Sequence, residues 1–220
     1  MDFLNNILRY PLQEIPFVVI TLLIAFTVHE FAHAYTAYKL GDPTAQKQGR
    51  LTLNPIHHLD PLGTILILIA GFGWARPVPV NRNYFKNPRA AGVLVSIMGP
   101  LSNLVMAFIG YGLWYFLVFK NGGSGVPSFV MDFLRYFTGI NLVLMIFNLI
   151  PLPPLDGYRI IEDLVSPSLR AKLTQYEQYS IILFLLILVT PLDQYTISPL
   201  IDHVSQFFFM RFSDIFSVFS

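Results

Sequence analysis

Residues Ala90 to Phe119 run for thirty positions without a charged side chain. A helix of about 20 apolar residues already crosses the roughly 30 Å hydrocarbon core of a bilayer. Two more long apolar stretches, Ile15–Tyr38 and Phe129–Ile150, are of similar character, and Tyr179–Leu192 is a shorter one. Composition agrees: 54% of residues are hydrophobic and only 12% charged, against about 25% charged in a soluble domain. Too few charges are present to clothe a soluble globule, and too many apolar residues for a disordered chain. The expected fold is an all-α multi-pass membrane protein with about four transmembrane helices, whose first partner is the lipid bilayer. A net charge of +1 gives no reason to expect nucleic acid. With no cysteine, disulfides and thiolate metal sites are excluded, so any metal site must be built from His and carboxylates.

Residues 1–14 are too polar to span and do not read as a signal peptide. The 24 residues of Ile15–Tyr38 reach about 36 Å as a helix, with Pro16 in the first turn and Gly41-Asp42-Pro43 beyond the end. A polar loop follows over 44–61. The next apolar stretch, Leu62–Gly73, would reach only about 18 Å, too short to cross, and is expected to be a re-entrant segment. The alternate prolines of Trp74-Ala75-Arg76-Pro77-Val78-Pro79-Val80 restrict that stretch to extended backbone, a small edge over residues 72–80. Gly99-Pro100 marks a kink within the long span, and 121–125 is a glycine-rich flexible turn. Asp132 and Arg135 are spaced to pair on one helix face. Pro151, Pro153 and Pro154 stop the third span; 157–177 reads as a polar amphipathic segment and 200–219 as an interfacial helix.

His29-Glu30-Phe31-Ala32-His33 is an H-E-x-x-H pattern. Positions i and i+4 share a helix face, so both imidazoles can reach one ion. Glu30 is rotated about 100° from His29 and can address a water without ligating the metal, as a general base must. Zinc suits such ligands and lowers the pKa of a bound water to about 7. Burying these groups in a lipid-spanning helix is costly unless partners compensate. The alternatives are a polar helix face satisfied by neighbouring helices, or a haem site; the latter is disfavoured because i,i+4 imidazoles cannot bind opposite sides of one iron. A third ligand is still required, and the best placed acid is Asp156, beyond the prolines in Asn148-Leu149-Ile150-Pro151-Leu152-Pro153-Pro154-Leu155-Asp156-Gly157. That segment can also be read as a plain helix stop with Asp156 as N-cap.

Asp156 and the histidine pair share a membrane side only if Leu62–Gly73 does not cross. In that arrangement ten of the fourteen Lys and Arg, all between 39 and 89 or 159 and 172, lie on the site side, leaving Arg9, Lys120, Arg135 and Arg211 on or near the other. The positive-inside rule then makes the site side cytoplasmic, in a cell membrane.

These motifs resemble the site-2 protease family of intramembrane zinc metalloproteases, in its compact form without a PDZ domain. The resemblance rests on His29-Glu30-x-x-His33, Gly99-Pro100-Leu101-Ser102-Asn103 and Asn148-x-x-Pro151-x-Pro153 through Leu155-Asp156-Gly157. Gly49 to Pro55, His58-x-Asp60-Pro61-x-Gly63-Thr64 and Gly73 to Asn81 extend it, so that it covers about residues 20–160. It implies that His29, His33 and Asp156 ligate Zn2+, that Glu30 is the base, and that a transmembrane protein substrate is cleaved within or near the bilayer. On that basis the chain is expected to be a single membrane-embedded metalloprotease domain over 1–220. Its catalytic core lies at about 15–165, with a C-terminal span and interfacial tail over 176–220.

The amide of Asn148 can polarise a scissile carbonyl or serve an interhelical hydrogen bond. Asn103 raises the same question, with Gly99-Pro100 permitting close helix approach, and His57 and His58 read as loop supports or pH-sensitive groups. Other functional classes are a membrane metal transporter, indifferent to Glu30→Gln, and a non-catalytic adaptor that binds zinc without turnover. A different membrane zinc protease would need a later helical Glu, yet Glu162 and Glu177 lie outside the apolar helices.

Overall fold

The computed structural model describes residues 10–70, 73–120, 122 and 125–219. The polar N-terminus with Arg9, positions 71–72 and three residues of the expected glycine-rich turn (121, 123 and 124) lie outside the described residues. Seven principal helices follow one another: α1 (Ile15–Lys39), α2 (Pro61–Ala70), α3 (Pro88–Trp114), α4 (Ser128–Asn148), α5 (Asp156–Leu164), α6 (Pro167–Val189) and α7 (Ile197–Ser217). A π-helical stretch, Tyr115–Lys120, continues α3.

Among the described residues three helices are long and apolar enough to cross a membrane: α1, α3 with its extension to Leu117, and α4. The Tyr179–Leu192 stretch falls in the second half of α6, whose first half carries Arg170, Lys172 and Glu177. That polar half keeps α6 as a whole from reading as a span. Helix α2 has ten residues, so it rises only about 15 Å and does not cross. Its Ile67 is buried with Val18, Leu22 and Phe26 of α1.

Helix α3 is central, packing against α1, α4, α5 and α7. Between apolar helices in lipid, close van der Waals contact and small residues replace the hydrophobic drive. A Cβ on Gly110 would lie 2.7 Å from the Phe137 ring of α4. Phe212 and Phe216 of α7 pack in a buried cluster with Ala107, Leu142 and Met145. At the opposite end of α4, Asp132 and Arg135 do pair, at 3.7 Å, and Arg135 also reaches Glu14.

The extended stretch follows α2. Its backbone pairing is an antiparallel bridge between Leu59 and Ala75, with Arg76 N–H donating to the His58 carbonyl at 2.8 Å; no longer strand forms among the described residues. Beyond it Arg82 pairs with Asp163, and Glu162 gathers Arg82, Arg159 and Arg170. Both acids are buried, so this lattice joins α5 and α6 to the segment before α3. Buried charges of this kind are held by their partners rather than by water. The neighbouring His58 is fully buried and donates from Nε2 to the Thr52 carbonyl at 2.7 Å. Burial, reinforced by the Arg50 charge, pushes its pKa below the ordinary histidine value. His57 is exposed.

The prolines end α4 and turn the chain back so that α5 starts beneath it. A Cβ on Gly157 would lie 2.2 Å from the Leu149 carbonyl oxygen and 2.6 Å from that of Ile150, both unyielding backbone. Gly157→Ala is therefore expected to cost about 1–3 kcal/mol and to lower the melting temperature in detergent. Gly139→Ala, where a new Cβ meets nothing within 4 Å, should be neutral or slightly stabilising.

Candidate active site

His29 and His33 lie one turn apart on the buried face of α1. Each is held from α3. His29 Nδ1 lies 2.6 Å from Asn103 Oδ1, and His33 Nδ1 lies 2.7 Å from the Val95 carbonyl oxygen. A carbonyl only accepts, so His33 carries its proton on Nδ1. The same logic reaches His29 through Asn103. The Asn103 amide nitrogen donates to the Ala25 carbonyl and to Asn141 Oδ1 at 2.9 Å, which turns its oxygen toward His29. Asn141 in turn donates to the Phe137 carbonyl of its own helix. Both amides are fully buried. The relay Asn141–Asn103–His29 and the Val95 carbonyl together leave each imidazole its Nε2 lone pair, as a metal ligand requires.

Those Nε2 atoms are 3.0 Å apart. Asp156 Oδ2 lies 3.2 Å from one and 3.3 Å from the other. The structure therefore brings together the three residues singled out in the sequence, their ligand atoms all within 4.8 Å of one another. Asp156 is not the cap of α5: the N-cap is Leu155, with no side-chain capping bond. Gly99 makes the arrangement possible, because a Cβ there would lie 2.3 Å from His33 Nε2 and 2.7 Å from the His29 ring.

Glu30 is buried one position from His29, and its Oε2 accepts from the Val78 backbone N–H at 2.9 Å. A cavity of about 610 Å³ joins His29, Glu30, His33 and Asp156 to Asn148 and Pro77. The Asn148 amide nitrogen donates to the Leu144 carbonyl within α4 at 2.9 Å. Asn103 orients His29 from behind and does not line the cavity.

The profile of peptidase family M50 matches residues 118–190. A Bacillus subtilis protein named "Putative zinc metalloprotease YwhC" is 57% identical over 216 residues, 97% of this chain and 98% of its own length. The chain belongs to peptidase family M50. The protein named Rip2 of Mycolicibacterium smegmatis is 29% identical over 77% of this chain and 65% of its own length. MJ0611 of Methanocaldococcus jannaschii is 31% identical over 71% and 76%. Both carry the same zinc metalloprotease description. No solved structure matches the chain. This M50 protein is a zinc metalloprotease of the site-2 protease family, and its donor set fits that metal. Two imidazole nitrogens and one carboxylate form the N and O ligand class of catalytic zinc sites. The buried Asp156 Oδ2 has no hydrogen-bond partner of its own, an orphan a cation would satisfy.

Sequence reasoning passed over Asn141, Gly99 as the floor beneath the imidazoles, and the Val78–Glu30 contact. A lone amide inside an apolar span was the available signal for Asn141; a backbone donor leaves none. Asn141→Leu frees the Asn103 amide to turn over, and zinc affinity measured by chelator competition should fall about 10–100-fold. Gly99→Ala should abolish stoichiometric zinc in the purified protein.

Proposed function

We propose that this chain cleaves transmembrane protein substrates within or near the bilayer, with His29, His33 and Asp156 as the zinc ligands and Glu30 as the general base. The observation that carries the reading is the convergence of three ligand atoms beside a buried carboxylate on one cavity. Zinc, when bound, supplies a Lewis acid that activates water and polarises the scissile carbonyl. Glu30 accepts a proton from the attacking water and later delivers it to the leaving amine. Asn148, at the cavity wall, retains an amide oxygen and a second N–H beyond its bond to Leu144, and that N–H is suited to the carbonyl oxygen as charge develops.

A peptide bond in a membrane helix is shielded by its own hydrogen bonds, so a substrate must unwind locally. The extended segment at 73–80 offers backbone that an unwound substrate can join as an added strand, forming the small edge read from the sequence. We read the apolar half of α6 and α7 as supplying a further crossing, for about four spans in all, and the unit as a single membrane-embedded domain. The excess of Lys and Arg on the site side supports a cytoplasmic opening in the cell membrane.

In Glu30→Gln the zinc content should stay stoichiometric while cleavage of a single-span substrate falls by at least about 100-fold. Asp156→Ala should lose the metal. Full cleavage by Glu30→Gln would end the general-base assignment and favour a zinc-binding protein of another kind.

A further inference from the structure

The segment 74–81 is pinned on both sides of Val78 by groups outside the metal site. On one side, Arg76 N–H donates to the His58 carbonyl at 2.8 Å, and the buried Arg50 donates from Nη2 to the Arg76 carbonyl at 2.5 Å. On the other, Asn81 N–H donates to the fully buried Asp42 Oδ2 at 2.7 Å. Between these anchors Pro77 and Pro79 restrict φ and carry no N–H. Val78 therefore holds the only backbone donor in residues 77–79, and it points at Glu30 Oε2, 2.9 Å away. This is also the only hydrogen bond to the Glu30 carboxylate among the described residues.

We propose that the Val78 main-chain N–H is the positioning group for Glu30, holding Oε2 and leaving Oε1 as the oxygen that takes the proton. The inference rests on Glu30 being the base. The physical reason is geometric. A carboxylate on a two-carbon stem has several rotamers, and proton transfer in the transition state needs one of them. A hydrogen bond to an ionised oxygen is strong enough to select it. Because the donor is main chain and its neighbours are proline, the contact survives side-chain change at 78 and is lost only when the amide itself is removed.

The test replaces the Val78 amide with an ester, introducing α-hydroxyisovaleric acid at position 78 of the full chain, with Val78→Ala as the variant that keeps the N–H. The probe is a fluorescence-quenched single-span peptide selected for cleavage by the wild-type chain in proteoliposomes. The ester should lower kcat roughly 10–100-fold relative to Val78→Ala, which keeps the N–H, with KM within about twofold and zinc content unchanged. In metal-free protein, Glu30→Ala should speed hydrogen exchange of the Val78 amide by about tenfold or more. An ester chain with wild-type kcat beside an inert Glu30→Gln chain overturns the positioning role, as does Val78 exchange indifferent to Glu30→Ala. Wild-type turnover by Glu30→Gln overturns instead the base reading on which it rests.

Discussion

Two imidazoles and a carboxylate meet inside a bundle of apolar helices, and this concentration of buried polarity governs the architecture around it. None of the three is tolerable there without partners. The histidines find theirs on α3, one through the Val95 carbonyl and one through Asn103, with Asn141 of α4 behind it. Those bonds require α3 to lie close against α1, and the missing side chain at Gly99 makes the room. The same contacts direct both Nε2 lone pairs to a common point. Stabilising the buried groups and preparing them to hold a metal are thus one arrangement.

Asp156 reaches that point by a different route. The proline-broken end of α4 turns the chain so that α5 begins at Asp156, with Gly157 allowing its first turn to sit on the carbonyls of Leu149 and Ile150. The far end of α5 is fixed by Glu162 and Asp163, which gather arginines from α6 and from the segment that follows the extended stretch. One short helix therefore carries the Asp156 carboxylate at its start and a buried ion-pair lattice at its end. The extended stretch is tied to both: Arg82 belongs to the lattice, and Val78 meets Glu30. Within an M50 protease, this places Glu30, the His29–His33–Asp156 cluster and the extended backbone within one mechanically connected unit.

Much of this was legible in residue order. The 30-residue uncharged run and its apolar neighbours demanded lipid, because no soluble surface can be made from them. The i,i+4 spacing of His29 and His33 placed two imidazoles on one face, since a helix repeats at 3.6 residues. The short reach of the second apolar stretch followed from its length alone, and it kept Asp156 on the same side as the histidines. The C-terminal region was less legible. The apolar signal between 179 and 192 is fused to a polar half-helix in α6, and the Phe-rich tail finds its partners only when α7 packs on α3 and α4.

What residue order determined, then, was the solvent this chain must live in, its helical periodicity, and the chemical class of its metal site, because each depends on local spacing and composition. The fold alone decided which imidazole nitrogen faces Asp156, that Asn141 stands behind Asn103, and that a proline-flanked backbone N–H holds Glu30. These are contacts between segments 38 to 78 positions apart. A hydrogen bond has a direction and a length that only packed helices supply, and no pattern along the chain encodes them.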